Sequence, residues 1–332
     1  MRLRTDRIPI REKGADEGKI PKVRAGVAKV RTAKRSNTRG KPRVWALGLG
    51  LILFFLGTGL FIFWDWGLSW WDEFRAEPIP PEAILPGEDF VVEMTGAEDL
   101  KMIWIEPGAF TMGSPVDEQG RWSDEGPQTR VRITRGFWIG KYPVTQEQWE
   151  AVMGSNPSRF EESGANAPVD YVSWEEAMRF SRILTNRYQA VERLPLDYVF
   201  TLPTEAQWEY ACRAGTQTRF NTGDNIMDLE RAGWYRSNSR GRTHPVGQKR
   251  PNEWGLYDMH GNVREWTRSW LGRYPGGTVS DFNGPAGGVV RVNRGGSWSI
   301  TGQFCRAAYR HGNEPSFRYD NLGFRLALAP VF

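Results

Sequence analysis

Hydrophobic and polar positions follow two regimes along the 332 residues. From Val44 to Trp64 the chain reads VWALGLGLILFFLGTGLFIFW, with no charged residue. A helix of that length rises about 30 Å, the thickness of a bilayer's hydrocarbon core. Trp45 stands at one end and Trp64, Trp66, Trp70 and Trp71 at the other, where amphipathic rings favour the interface. Beyond this run the pattern shortens. Met102–Ile105 and Gly108–Met112 read as strands around a Pro-Gly turn, and Val131–Ile139 alternates as one strand rich in β-branched and aromatic residues. Thr145 caps a helix that lines up Trp149, Val152 and Met153. Ser173 caps a second, with Trp174, Ala177, Phe180 and Leu184 at helical spacing. Thr204 and Gln207 form the capping-box pattern of a third. After Gly215, short strands lie among many Gly, Asn and Pro. Helices and strands do not alternate, so the pattern predicts an α+β domain with long loops.

Charge divides the chain in the same way. Residues 1–43 hold 15 Lys/Arg against 4 Asp/Glu, whereas everything from Asp65 onward holds 29 against 35. The basic balance belongs to the tail. An acidic body argues against a folded nucleic-acid reader, so no nucleic-acid partner is expected. Arg31, Lys34, Arg35, Arg39, Lys41 and Arg43 precede the apolar run and little positive charge follows it. The positive-inside rule then predicts a single-pass cell-membrane protein, N-terminus cytoplasmic and body outside. A cleaved signal peptide fits poorly, because the leading region is 43 residues long and Trp-rich sequence stands where a cleavage site should be. Residues 65–97, with Glu77-Pro78-Ile79-Pro80-Pro81, read as a stalk. The expected organisation is a basic tail (1–43), a membrane helix (44–64), the stalk (65–97) and a globular domain (98–332). Two cysteines rule out a disulfide scaffold and a four-thiolate zinc site.

Seven segments, in order, carry a family resemblance: MIWIEPGAFTMGS (Met102–Ser114), DEGPQTRVRITRGFWIGKYPVTQEQW (Asp124–Trp149), APVDYVSWEEA (Ala167–Ala177), LPTEAQWEYACRAGT (Leu202–Thr216), PNEWGLYDMHGNVREW (Pro251–Trp266), RGGSW (Arg294–Trp298) and NLGFRLA (Asn321–Ala327). Together they resemble the formylglycine-generating enzyme, or sulfatase-modifying factor, family over about 98–328. The resemblance implies a C-type-lectin-like α+β fold with little regular secondary structure.

It also implies a chemistry, and the residues depart from it. The enzymes of the family oxidise a sulfatase cysteine using copper held by two thiolates after the Gly-Gly-Ser motif. Here Ile300 stands at the first of those positions, and Cys305 is the only thiol nearby. One thiolate does not make a bis-thiolate Cu(I) site, which argues against copper. The resemblance instead implies a Cys212–Cys305 disulfide. A second family disulfide would fall at Ser181 and Leu326, where both cysteines are missing. It further implies structural Ca²⁺ on the turn 257–263, through the Asp258 side chain and the main-chain oxygens of Met259, Gly261 and Val263; hard oxygen ligands suit that ion. Related domains occur in non-haem iron enzymes. This chain has only His244, His260 and His311, without ligand spacing, which argues against iron.

Two functions compete. One is an oxidase, either of the formylglycine-generating type or a non-haem metal enzyme. The other, favoured by the missing copper cysteine, is a lectin-like module that binds a protein, peptide or glycan outside the cytoplasm. Its candidate contacts are Trp298, Phe304, Tyr309, His311, Phe317 and Tyr319, aromatic and polar side chains suited to adaptable recognition. A variant of that reading is a retroelement-diversified ligand-binding protein, whose C-terminal block differs between copies.

Overall fold

The computed structural model describes residues 83–331. The expected membrane helix, the basic tail and most of the stalk lie outside the described residues, and no helix among those described is long and apolar enough to cross a membrane.

Three capping boxes start the three longest helices. The Thr145 hydroxyl accepts from Gln148 N–H and opens α1 (Gln146–Met153); Ser173 does the same with Glu176 for α2 (Trp174–Gln189), and Thr204 with Gln207 for α3 (Glu205–Arg213). In each box the residue at the third position reaches back to the cap's own N–H, so two otherwise orphaned donors are satisfied. A shorter helix, α4, spans Ile226–Ala232.

Twelve strands form three small sheets among the described residues. The first is five-stranded, in the order β1 (Phe90–Val92), β2 (Leu100–Ile105), β5 (Phe137–Gly140), β12 (Ala327–Pro330), β6 (Tyr198–Thr201). The second is β10 (Arg310–Asn313), β9 (Arg291–Arg294), β7 (Arg264–Trp270), β11 (Leu322–Phe324). The third is β3 (Gly108–Met112), β4 (Thr129–Ile133), β8 (Thr278–Ser280). The α+β expectation holds. Two details differ. Strand β1 falls inside the stretch assigned to the stalk and pairs antiparallel with β2, so the folded domain begins before residue 98. The single strand expected over Val131–Ile139 is two, β4 and β5, in different sheets. Asp281 pins the corner between them, accepting from Thr134 N–H at 2.9 Å and from its hydroxyl at 2.5 Å. Gly136 completes it, because a Cβ there would meet the Trp104 ring at 2.1 Å.

Helix α2 packs on β6 of the first sheet, where the Thr185 hydroxyl bonds the Phe200 backbone; Trp149 of α1 and Phe180 of α2 stack at 5.7 Å, and both meet Phe324 of β11 edge-on. Helix α3 lies against the second sheet and brings buried charge with it. Glu205 takes a two-pronged pair from Arg310 at 2.6 and 2.8 Å. Glu209 accepts from Arg213 at 2.9 Å and from Arg294. Glu265 on β7 pairs two-pronged with Arg325 at 2.9 and 3.0 Å and accepts the Trp208 indole N–H. The directly opposed Glu265, Arg294 and Arg310 therefore share one face of the sheet, and every charge on it is matched.

Candidate functional site

The segment after Arg294 wraps around a buried thiol. Gly295 and Gly296 hold φ of +90° and +74°, and a Cβ on Gly296 would lie 2.5 Å from Cys305 Sγ. Only glycine allows this approach. Cys305 is 0% exposed, in a short 3-10 turn (Gly302–Cys305), and burial pushes its thiol up to about 12. Cys212, on α3, is equally enclosed and also pushed up by burial to about 12.

The two cysteines do not form the expected disulfide; both are free. His260 lies beside both. Its Nε2 accepts from Asn221 N–H at 3.0 Å and lies 3.6 Å from Cys212 Sγ. The proton is then on Nδ1, which donates to the Cys305 carbonyl at 2.7 Å. The ring bridges the surroundings of one cysteine to the backbone of the other. Burial pushes it down to about 4, so it is neutral and fixed in one tautomer.

The same turn carries the calcium expectation. Asp258 is buried with φ +58°, and its Oδ2 accepts from Gly247 N–H at 2.8 Å. Its Oδ1 is enclosed with no hydrogen-bond partner, and burial pushes the carboxyl up to about 6. Asn262 grips the next loop, accepting from His244 N–H at 3.1 Å and donating to its carbonyl at 2.9 Å. His244 stacks on Trp234 at 3.8 Å. Met259 and Val263 are buried, and the Met259 oxygen faces Cys212 Sγ at 3.9 Å. No group of three or more His, Cys, Asp or Glu side chains among the described residues is arranged to hold a metal.

Five of the six candidate contacts fall into three aromatic sets. Phe304 and Tyr309 pack at 5.0 Å, and Trp122, absent from the sequence reading, lies against both at 6.1 and 6.4 Å. Phe317 and Tyr319 stack nearly parallel at 6.0 Å, and Tyr319 is 51% exposed. Trp298 meets Phe160 edge-on at 4.9 Å and donates from its indole to the Asp320 carbonyl at 3.1 Å. His311 faces Asn313 Oδ1 at 3.2 Å, and burial lowers its pKa.

Arg264, the first residue of β7, links them. Its guanidinium lies within electrostatic reach of Tyr309, Cys305, Tyr319 and His311. Burial lowers its pKa, and no carboxylate opposes that. Its Nε is enclosed without a hydrogen-bond partner. Its backbone N–H donates to the Asn321 carbonyl at 2.8 Å, and the Asn321 side chain reaches Ser299 Oγ at 2.7 Å. Arg264 lies within a motif read from the sequence, but nothing in that motif marks a charge as lacking a partner.

The fold has known counterparts. A family profile described as "Sulfatase-modifying factor enzyme 1-like domain" matches residues 89–330. The mouse formylglycine-generating enzyme is 30% identical over 294 residues, covering 68% of this chain and 74% of that protein. The serine/threonine-protein kinase pkn1 of Chlamydia caviae is 32% identical over 257 residues, but this chain spans only 38% of its length. Among solved structures, Treponema denticola variable protein 1 superposes with a TM-score of 0.65 at 32% identity, covering 73% of this chain and 99% of that one. PvdO from Pseudomonas aeruginosa gives 0.62 at 27%, with 74% and 99% covered. On these matches and this fold, the chain belongs to the sulfatase-modifying factor, or formylglycine-generating enzyme, family.

Proposed function

We propose that this member of the family is a binding module, held outside the cytoplasm by its N-terminal anchor, and that the surface around Arg264 recognises a protein, peptide or glycan. One observation carries the reading: Cys305, the thiol near Arg264, is fully enclosed and held neutral, with that arginine beside it. Copper needs thiolates, and a neighbouring cation opposes a metal ion. The open aromatic faces of Trp122 and Tyr319 supply contact area at low entropic cost. Structural Ca²⁺ on the turn 257–263 belongs to the same proposal. The enclosed, unpartnered Oδ1 of Asp258 is an oxygen donor of the right kind, with the main-chain oxygens of Met259, Gly261 and Val263 completing the set.

The test is to incubate the full chain with a cysteine-containing sulfatase peptide, Cu(I) and oxygen, and to read the peptide by mass. The expected result is an unchanged peptide; conversion of its cysteine to the aldehyde would contradict the reading. In parallel, neither Cys212 nor Cys305 should alkylate in the folded protein, with or without reductant, and both should alkylate without reductant once it is unfolded. The likeness to Treponema denticola variable protein 1 supports a second reading, in which exposed positions of the block 298–319 differ between copies. A near-identical template repeat beside the coding sequence would be its mark.

A further inference from the structure

Most of the buried arginines in this part of the fold have an acid. Arg294 and Arg310 have Glu205 and Glu209, Arg306 has Glu125 and Glu118, and Arg325 has Glu265. Arg291, also without an acid, is held between the rings of Trp174 and Trp270 at 3.9 and 3.4 Å. Arg264 has neither an acid nor a ring partner among the described residues; phenols, a thiol and an imidazole surround it. No carboxylate on the neighbouring segments pairs with it. Asp320 lies toward Arg159 with its Oδ1 enclosed and unpartnered, and Asp124 faces Tyr309 and His311.

A partly buried guanidinium without a counter-charge costs stability, and its enclosed Nε forgoes a hydrogen bond as well. That cost is explained if a ligand supplies the missing anion. From this geometry we infer that the protein binds an oxyanion, a carboxylate or a phosphate or sulfate ester, on the fork of Arg264, with the open Tyr319 hydroxyl as a second donor. A planar fork of N–H donors matches two oxygens of such a group at once. The neighbouring Trp122, Phe304 and Tyr309 rings would hold the body of the ligand. This deepens the binding-module reading and rests on it.

The experiment uses the full chain in lipid nanodiscs, with ¹⁵N-labelled arginine. Inorganic phosphate, sulfate and acetate are titrated in separate arms, with chloride holding the ionic strength constant. The Arg264 Nε–H resonance is assigned by its disappearance in Arg264→Lys. The expected result is a saturable shift of that resonance while those of Arg294 and Arg325 stay still. A response to phosphate and sulfate alone assigns the tetrahedral esters; a response to acetate as well admits carboxylates. In Arg264→Gln, half-saturation of thermal stabilisation by the same anions should rise at least tenfold. No shift beyond that with chloride, or an undiminished response in Arg264→Gln, overturns the inference. Should Arg264→Gln fail to fold, the wild-type titration decides alone. A null titration leaves the binding-module reading standing on its aromatic surface; that reading falls only if the cysteine peptide is oxidised.

Discussion

The two faces of the four-stranded sheet treat arginine in opposite ways. On the face toward α3, Arg294 stands between Glu265 and Arg310 in register, and the two arginines meet Glu205 and Glu209. Burial alone would raise the Glu209 carboxyl, but the guanidinium groups of Arg213 and Arg294 outweigh it and hold the group below its ordinary value. On the other face Arg264 and Arg291 meet no carboxylate, and burial lowers the pKa of both. A buried network in which every charge meets its opposite has no spare charge to offer a ligand and fixes the positions of its members. An unmatched cation does the reverse: it weakens the fold and attracts an anion. The first face holds α3 against the sheet, and the second is where recognition is expected.

The comparison can be strained from the matched side first. Glu209→Ala leaves Arg213 and Arg294 short of a buried counter-charge. A loss of about 3–5 kcal/mol is expected in chemical denaturation, and a loss below 1 kcal/mol would mean the network is not tightly coupled.

Asp258 gives the next largest effect, through pH. Its carboxyl is raised by burial from 3.8 to about 6, so the folded state favours the protonated form. Its contribution to stability is fully present below about pH 4 and is lost as pH rises through 6, an effect on the order of 3 kcal/mol. In calcium-free buffer, Asp258→Asn should remove that part of the decline in melting temperature between pH 4 and 7. Added Ca²⁺ should stabilise the wild type at pH 7 but not the variant. An unchanged pH profile in the variant would place the titration elsewhere.

Arg291→Lys should cost about 1 kcal/mol, because an ammonium does not stack between Trp174 and Trp270 as a planar guanidinium does. A neutral result in denaturation would mean that the ring contacts do not compensate for the absent carboxylate.

Most of the fold was legible where a local rule decides it. The three helix starts follow from Thr145, Ser173 and Thr204 with Gln or Glu three residues on, and the structure forms all three boxes. The break between β4 and β5 was not legible, because Thr134 is pinned by Asp281, 147 residues away in sequence. Of the candidate contacts, Tyr309, His311 and Tyr319 lie within electrostatic reach of Arg264. That no acid pairs with that arginine is a tertiary fact the sequence does not carry. The free state of the two cysteines is tertiary as well: Cys212 Sγ and the Cys305 carbonyl both meet His260, and no bridge joins the thiols.

The most direct measurement applies one substitution to both faces: urea denaturation of Arg264→Met and Arg294→Met in the full chain. Arg294→Met takes a donor from Glu209 and Glu205 and from the carbonyls of Ala307, Ala308 and Tyr309, all in the core, and should cost about 3–5 kcal/mol. Arg264→Met removes an unmatched charge and should leave stability within about 0.5 kcal/mol of the wild type, or raise it. If Arg264→Met loses as much as Arg294→Met, the guanidinium is a structural member of the fold, and its assignment to ligand recognition is contradicted.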